Sequence, residues 1–442
     1  MVRSILPAFG FVRRRLWRIV SVAVILAAAA LGGVNLWAWH HFRAAEKALR
    51  DENLDEAQDH ICRCLRVWRL GPQTHLLAAR IDGTAGRYAE AERHLRECRR
   101  LQHGVREETQ FEEILLRAQS GDIREVEQGL WNCVHTGDPR SRRILETLAR
   151  VYMLETRLGA ALEALTRWLE LEPEAARAWH WRGKVYEGLM QTDKAIPDHE
   201  KAVELEPGRW GARLRLVRLL LNKHKVEAAR LHLQELMRGH GDDLNVQVAQ
   251  AQAYMLEGKE EESISLLDRL LEEHPHHFET LYLRSRLASQ QEPSRPAEEE
   301  KFLRRALSER PADYRSLHAL YLCLKQQGKE KEAAEVRAKQ KRIEKDINRL
   351  NDLITNQVER APYDPNVFSE VGELLIKLGD EEAGLQWLYR TLRDNPNHTH
   401  SRRILIDYYE SKGLVAEAKK LREAAVPVNG RSPSLSTIEN GR

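Results

Sequence analysis

The stretch that decides the fold is residues 176–209, whose sequence is ARAWHWRGKVYEGLMQTDKAIPDHEKAVELEPGR. Counted from its first residue, an aromatic residue, a glycine, a tyrosine, two alanines and a proline occupy positions 4, 8, 11, 20, 27 and 32: Trp179, Gly183, Tyr186, Ala195, Ala202 and Pro207. Since proline cannot continue a helix, position 32 marks the end of the second helix. The stretch predicts two short helices, A and B, joined by a turn.

The same pattern recurs every 34 or 35 residues along most of the chain. Position 20 is small because helix B crosses helix A closely there; its residues are Ala57, Ala91, Val126, Ala161, Ala195, Ala229 and Ser263. Position 15 favours glycine, which leaves helix A in a left-handed conformation without steric cost: Gly86, Gly121, Gly258, Gly328, Gly379 and Gly413. Since one pair cannot bury its apolar face alone, the copies must stack.

This pattern resembles the tetratricopeptide repeat (TPR), a helix–turn–helix unit of 34 residues. About eleven copies begin near residues 38, 72, 107, 142, 176, 210, 244, 278, 314, 365 and 399. The resemblance implies an all-α fold, a right-handed α-solenoid of about eleven helix pairs. One transmembrane helix, predicted from the N-terminal residues, would precede it. The resemblance also implies that A helices line a concave groove, with positions 2, 5, 9 and 12 directed into it.

The N-terminus predicts a membrane anchor. The 21 residues 19–39, IVSVAVILAAAALGGVNLWAW, carry no charge and would span about 31 Å as a helix, close to the ~30 Å of a bilayer core. Residues 1–18 carry five arginines and no acid, which predicts that they are cytoplasmic and that everything after about residue 40 lies outside the cytoplasm. A cleavable signal peptide with a site at Ala28–Ala30 is the alternative.

Six segments follow from these patterns. They are a basic segment 1–18, a signal anchor 19–39, a repeat array 40–328, a long helix 329–362, two C-terminal repeats 363–425 and a disordered tail 426–442. From Lys329 to Arg360 there is no glycine or proline, which predicts one helix of about 30 residues. We expect it to bridge the two arrays, and a coiled-coil arm is the alternative.

Candidate chemistry is sparse. Cys64, Cys98 and Cys133 all occupy position 27, where a small residue packs against the neighbouring repeat, and no C-x-x-C pair accompanies them. Histidines in HPHHF (274, 276 and 277) and NHTH (398 and 400) do not supply the three or four convergent ligands that zinc needs. No nucleotide-binding, hydrolase or kinase motif is present. We expect no enzyme activity, metal or cofactor, and the net charge of +3 gives no drive toward nucleic acid.

The predicted groove is basic although the chain is nearly neutral. Position 9 in repeats 2 to 8 is basic in five of seven copies, and these residues with one neighbouring histidine are the candidate site: Arg80, Arg150, Lys184, Arg218, Arg286 and His180. Arg150, Lys184 and Arg218 would form a ladder across consecutive repeats, suited to an acidic, extended segment of a partner protein.

The sequence therefore predicts a scaffold or adaptor in the bacterial inner membrane, with a single span and a periplasmic repeat array. Two alternatives stay open. One is an accessory protein of envelope biogenesis, secretion or cytochrome maturation, and the other is a regulatory subunit of a membrane enzyme complex.

Overall fold

The computed structural model describes residues 7–102, 104, 106–291 and 295–423. For residues 7–25 and 27 it describes the backbone alone. The side chains of the predicted basic segment and of much of the predicted span 19–39 therefore lie outside the described residues, as does the whole tail 426–442.

All regular structure in the described ranges is helical, which confirms the all-α prediction. The chain divides into two compact units, 1–151 and 152–442. The first seven helices are α1 (Pro7–Arg50), α2 (Leu54–Val67), α3 (Pro72–Thr84), α4 (Tyr88–Leu101), α5 (Glu107–Arg117), α6 (Ile123–His135) and α7 (Ser141–Leu154), with the unit boundary inside the last.

Sixteen further helices follow in the C-terminal compact unit. They are α8 (Leu158–Leu171), α9 (Ala176–Gly188), α10 (Thr192–Leu205), α11 (Trp210–Asn222), α12 (Val226–His240), α13 (Leu244–Leu256), α14 (Glu260–Glu273), α15 (Phe278–Gln290), α16 (Pro296–Glu309), α17 (Tyr314–Gln326), α18 (Glu330–Asp352), α19 (Val358–Arg360), α20 (Pro365–Lys377), α21 (Glu381–Asp394), α22 (Thr399–Ser411) and α23 (Val415–Glu423).

The helices pair as the repeat predicts. From repeat 2 onward, each predicted start lies within one residue of the start of an A helix, as at Pro72, Ala176 and Tyr314. Within the C-terminal compact unit each A helix packs against its own B helix, and each B helix against the next A helix, as α9, α10 and α11 do. The core of this unit is therefore a series of apolar clusters, each shared by three or four consecutive helices in the cases of α10–α13 and α13–α15, because neighbours bury one another's apolar faces.

Two repeat positions show why these residues form these pairs. Position 20 is fully buried wherever it is alanine, as at Ala161 and Ala195, so the helices cross there without room for a larger side chain. Position 15 has positive φ in both its glycines and its non-glycine residues. The latter are Glu52 (62°), Thr156 (54°), Met190 (58°) and His224 (57°). The turn geometry is thus imposed by the helix pair, whatever residue occupies the turn.

The segment after repeat 9 continues as helix but changes its winding. Helix α18 runs into a π-helical turn, Leu353–Gln357, and then into α19. Leu353 and Val358 are fully buried in a cluster with Phe368 and Trp387 of the following repeat. The π-helical turn brings both side chains to the same packed face, so this segment joins repeat 9 to repeat 10 by contact.

A second kind of contact joins distant parts of the C-terminal compact unit. The Gly159 amide, in the first turn of α8, donates a 2.7 Å hydrogen bond to Glu359 Oε1, 200 residues away. Arg390 forms a 2.8 Å ion pair with Glu155, with only 13% and 8% of their side chains exposed. Arg157 donates to the Tyr363 hydroxyl at 3.4 Å. We call these contacts the 155–390 latch.

The membrane prediction gains no support from the described residues. Within them, no helix combines the length and apolar character needed to cross a bilayer. Helix α1 is nevertheless continuous from Pro7 to Arg50 and so includes the backbone of the predicted span.

Candidate functional site

In the N-terminal compact unit, the predicted groove arginines are engaged by the protein itself. Arg80 donates to Glu112 at 2.9 Å and to Glu108 at 3.3 Å, both on α5. Arg150 donates to the carbonyl oxygen of Thr84 at 2.8 Å, at the C-terminal end of α3, where a cation complements the helix dipole. Both side chains therefore stabilise contacts between A helices.

In the C-terminal compact unit, two predicted arginines differ from these. Arg218 is exposed and Arg286 is half-buried, and neither side chain makes a hydrogen bond or ion pair with any residue of the described ranges. They occupy position 9 of repeats 6 and 8, on α11 and α15. Lys184, at position 9 of repeat 5, is half-buried on α9. Gln252 occupies position 9 of repeat 7, on α13, between the repeats of Arg218 and Arg286. Its side-chain amide donates a 3.1 Å hydrogen bond to Asn222.

His180 does not line a groove. Its side chain is 9% exposed, and its Nδ1 lies 3.3 Å from Nδ1 of His199 on α10. Gly183 leaves space for the His199 ring, because a Cβ at residue 183 would lie 2.7 Å from His199 Cε1. Burial, followed by the charges nearby, lowers the pKa of His180 to about 2, so the ring is neutral. His180 is therefore a packing residue of its helix pair.

Around Arg286 lies a pocket of about 500 Å³, between α15 and α17. Position 5, 9 and 12 residues of repeat 8 form one wall and position 2, 5 and 9 residues of repeat 9 the other: Tyr282, Arg286 and Ser289, and Arg315, His318 and Leu322. These are the positions that the repeat directs into the groove, so the pocket is a local widening of the groove between two A helices.

The floor of the pocket carries a buried acid. Glu299 lies on α16 with 7% exposure and reaches the pocket beside Cys323 of α17. Burial raises the pKa of Glu299, and it raises the pKa of the Cys323 thiol to about 11, so that the thiol stays protonated and unreactive. The Cys323 thiol also donates to the carbonyl oxygen of Pro296 at 3.2 Å.

The rim of the pocket is aromatic and cationic. The Arg315 guanidinium lies 4.8 Å from the centre of the Tyr282 ring and is shared with Glu279 at 3.5 Å and Asp313 at 3.6 Å. The rings of Tyr314 and His318 are parallel, with centres 6.4 Å apart. Leu322 is a large apolar side chain left 51% exposed at this rim. Arg315 is thus neutralised by the protein, and Arg286 is the cation available to a ligand.

Two features of the site were not predicted. The insertion of two residues in repeat 8 moves position 20 to Glu299, so a carboxylate occupies the place of a small residue; counting the insertion identifies it. The pocket itself has no sequence signal beyond Arg286. In the part of the chain that the structure describes, no three His, Cys, Asp or Glu side chains are arranged to hold a metal ion.

Comparisons with known proteins agree with the repeat. Residues 190–253 match the family model described as tetratricopeptide repeat. No curated protein matches the chain. Similar solved structures include Pseudomonas aeruginosa pilF, at 16% identity and a TM-score of 0.34, covering 56% of this chain and 96% of that one.

Two further structures are similar at this level. A tetratricopeptide repeat protein from Parabacteroides merdae shares 12% identity at a TM-score of 0.32, covering 76% of this chain and 97% of that one. Human IFIT1, solved as a dimer with m7Gppp-AAAA, shares 15% identity at a TM-score of 0.38, covering 80% and 89%.

The matched residues 190–253 run from the turn of repeat 5 to α13, inside a row of helix pairs that share its spacing, small crossing position and left-handed turn. The described residues therefore form an all-α array of helix pairs, within which residues 190–253 match the tetratricopeptide repeat.

Proposed function

We propose that this protein is a non-catalytic scaffold that captures an acidic, extended segment of a partner protein on the A helices of repeats 5 to 8. The observation that carries the proposal is the pair Arg218 and Arg286. Both occupy position 9 of their repeats, and neither side chain makes a hydrogen bond or ion pair with the described residues. At the same position of repeats 2 and 4, Arg80 and Arg150 bind other parts of the protein.

The chemistry suits a peptide rather than a small metabolite. Successive A helices of a solenoid lie about 10 Å apart, so the two arginines, two repeats apart, would be separated by about 20 Å. An extended peptide covers that distance with about six residues. Each exposed ion pair contributes only about 0.2–1 kcal/mol, so capture would depend on several pairs and would weaken with salt.

The test is charge reversal on the A helices. Lys184→Glu, Arg218→Glu and Arg286→Glu together should abolish partner capture, measured by crosslinking and mass spectrometry in native membranes. The matched control is Arg230→Glu, Arg238→Glu and Arg269→Glu, which makes the same change in charge at exposed sites on the B helices α12 and α14. Capture that survives the first set, or that is lost equally with the control, would contradict the basic groove.

We also propose that helix α1 anchors the protein in the inner membrane and leaves the repeats in the periplasm. The support is the uncharged run of residues 19–39, the five arginines before it and the continuity of α1. A periplasm-active reporter fused after Arg442 should be active, and deletion of residues 1–39 should release a soluble helical protein. A reporter that indicates a cytoplasmic C-terminus would refute the orientation.

A further inference from the structure

We propose that the pocket between α15 and α17 is the recognition point of the captured segment, and that it takes an acidic side chain of the partner next to an apolar one. This inference rests on the proposed function and makes it specific. Here an available cation on an A helix, Arg286, lines an open pocket of about 500 Å³.

The charge of the pocket favours a carboxylate. Arg286 reaches the pocket from α15, and Arg315 adds a second cation whose charge is balanced by Glu279 and Asp313. The acid on the floor, Glu299, is held toward its neutral form by burial. A protonated carboxyl donates a hydrogen bond and does not repel a bound carboxylate. The site can therefore pair Arg286 with an incoming Asp or Glu.

The apolar part of the pocket favours a hydrophobic neighbour. Leu322 is half-exposed at the rim, and Ala319 and the Tyr314 ring complete that wall. Burial of an apolar side chain against such a wall contributes more than one exposed ion pair does, while the ion pair adds specificity. Neighbouring side chains of an extended segment point to opposite sides, so the acidic and apolar residues should be two apart.

The probe is a random twelve-residue peptide library, displayed in many copies per phage particle and selected on the full-length protein in detergent. We expect selected clones to carry Asp or Glu two residues from a large apolar residue. Their binding should fall at least tenfold with Arg286→Glu. Leu322→Asp, at an exposed site that leaves the core intact, should cause a similar loss.

Arg218→Glu is the matched control, because it makes the same change at the same repeat position outside the pocket. It should weaken the selected peptides no more than about threefold. Equal losses for the two variants would overturn the pocket while leaving the basic groove in place. Clones without acidic residues, no enriched clones, or clones insensitive to every groove variant would overturn both.

A pH series separates the role of Glu299 from simple packing. Other titratable groups line the same pocket: Tyr282 and Arg286 from α15, and Tyr314, Arg315, His318 and Cys323 from α17. A hydrogen bond with Cys323 opposes the effect of burial on the pKa of Glu299. Peptide binding should weaken as the pH rises and Glu299 ionises, because its charge then opposes the bound carboxylate. Glu299→Gln cannot ionise, so its binding should lose this part of the pH dependence. An unchanged profile in Glu299→Gln would refute a role for Glu299 at the site.

Discussion

At the residue scale, the turn between helices A and B shows the helix pair overriding local preference. Met190 has φ of 58° and is 84% exposed, so no contact of its side chain compensates for the left-handed backbone. Left-handed conformations cost most residues about 1–2 kcal/mol, and glycine avoids that cost. Repeats 1, 4, 5 and 6 carry this strain. Repeats 2, 3, 7, 9, 10 and 11 have glycine at the same position and avoid it.

Met190→Gly should therefore stabilise repeat 5 by about 1 kcal/mol, with a slower hydrogen exchange of α9 and α10 as the readout. The reciprocal change, Gly258→Ala at the same position of repeat 7, should loosen α13 and α14 by a similar amount. Faster exchange in Met190→Gly would show that this turn is not strained.

His180 makes folding sensitive to acid. Its pKa in the fold, about 2, lies below the ordinary 6.5 of the unfolded chain. Between these values the unfolded chain binds a proton that the fold excludes, so the contribution of His180 is complete above pH 6.5 and is lost as the pH falls. The loss approaches about 1.4 kcal/mol per pH unit.

His180→Asn keeps a side-chain nitrogen near the position of Nδ1 but does not titrate in this range. The stability of repeat 5 can be measured by hydrogen exchange at increasing denaturant concentrations. Between pH 7 and pH 5 this stability should fall less steeply in His180→Asn than in the wild type. Parallel slopes would mean that His180 is not held neutral.

At the element scale, the closeness of helices A and B depends on position 20. Ala195 is fully buried where α10 crosses α9. Ala195→Leu should overpack this crossing at a cost of about 1–3 kcal/mol. Since neighbouring repeats carry most of the coupling, hydrogen exchange should accelerate mainly from α8 to α12. Uniform loosening of the whole chain, or none, would contradict the repeat frame.

Much of this element-scale structure could be predicted from the sequence, because repeat contacts are local and recur with a period. The A-helix starts and the turns at Gly86 and Gly258 follow from that period. His180 was misplaced because position 5 alone does not reveal that Gly183 admits the His199 ring beneath it. Glu299 was missed because an insertion shifts the frame by two residues.

The site was less predictable than the fold. Arg80 and Arg286 share position 9, but acids on a neighbouring helix neutralise only Arg80. Which arginine is available depends on the partner side chains of adjacent helices, and these do not follow the period. The contacts of the 155–390 latch do not recur with the 34-residue period, because they join residues 200 or more positions apart.

At the scale of the C-terminal compact unit, the latch adds a contact that nearest-neighbour stacking lacks. Arg390 lies between Glu155 and the ring of Phe368, 4.3 Å from the ring centre. Burial lowers the pKa of Arg390, and Glu155 opposes that change. Loss of one partner of a buried pair typically costs about 3–5 kcal/mol, and the 3.7 Å ion pair between Arg157 and Glu155 reduces that cost here.

Arg390→Leu should thus release the latch, with hydrogen exchange rising together in the first turn of α8 and in residues 353–363. Glu155→Leu combined with Arg390→Leu should restore part of the protection, because it removes both charges of this pair, while Arg157 loses its 3.7 Å ion pair with Glu155. Exchange that rises only around residue 390 would show that the distant segments are not coupled.

The latch also has a mechanical consequence. An array held only by contacts between neighbouring repeats lengthens under tension as a spring does, by small rotations at each interface. Glu359 bound at the start of α8, together with the Glu155–Arg390 ion pair, ties the first turns of the C-terminal compact unit to its last third. A force applied between these segments must first break the latch contacts. Until those contacts break, residues 159–359 do not bear the force.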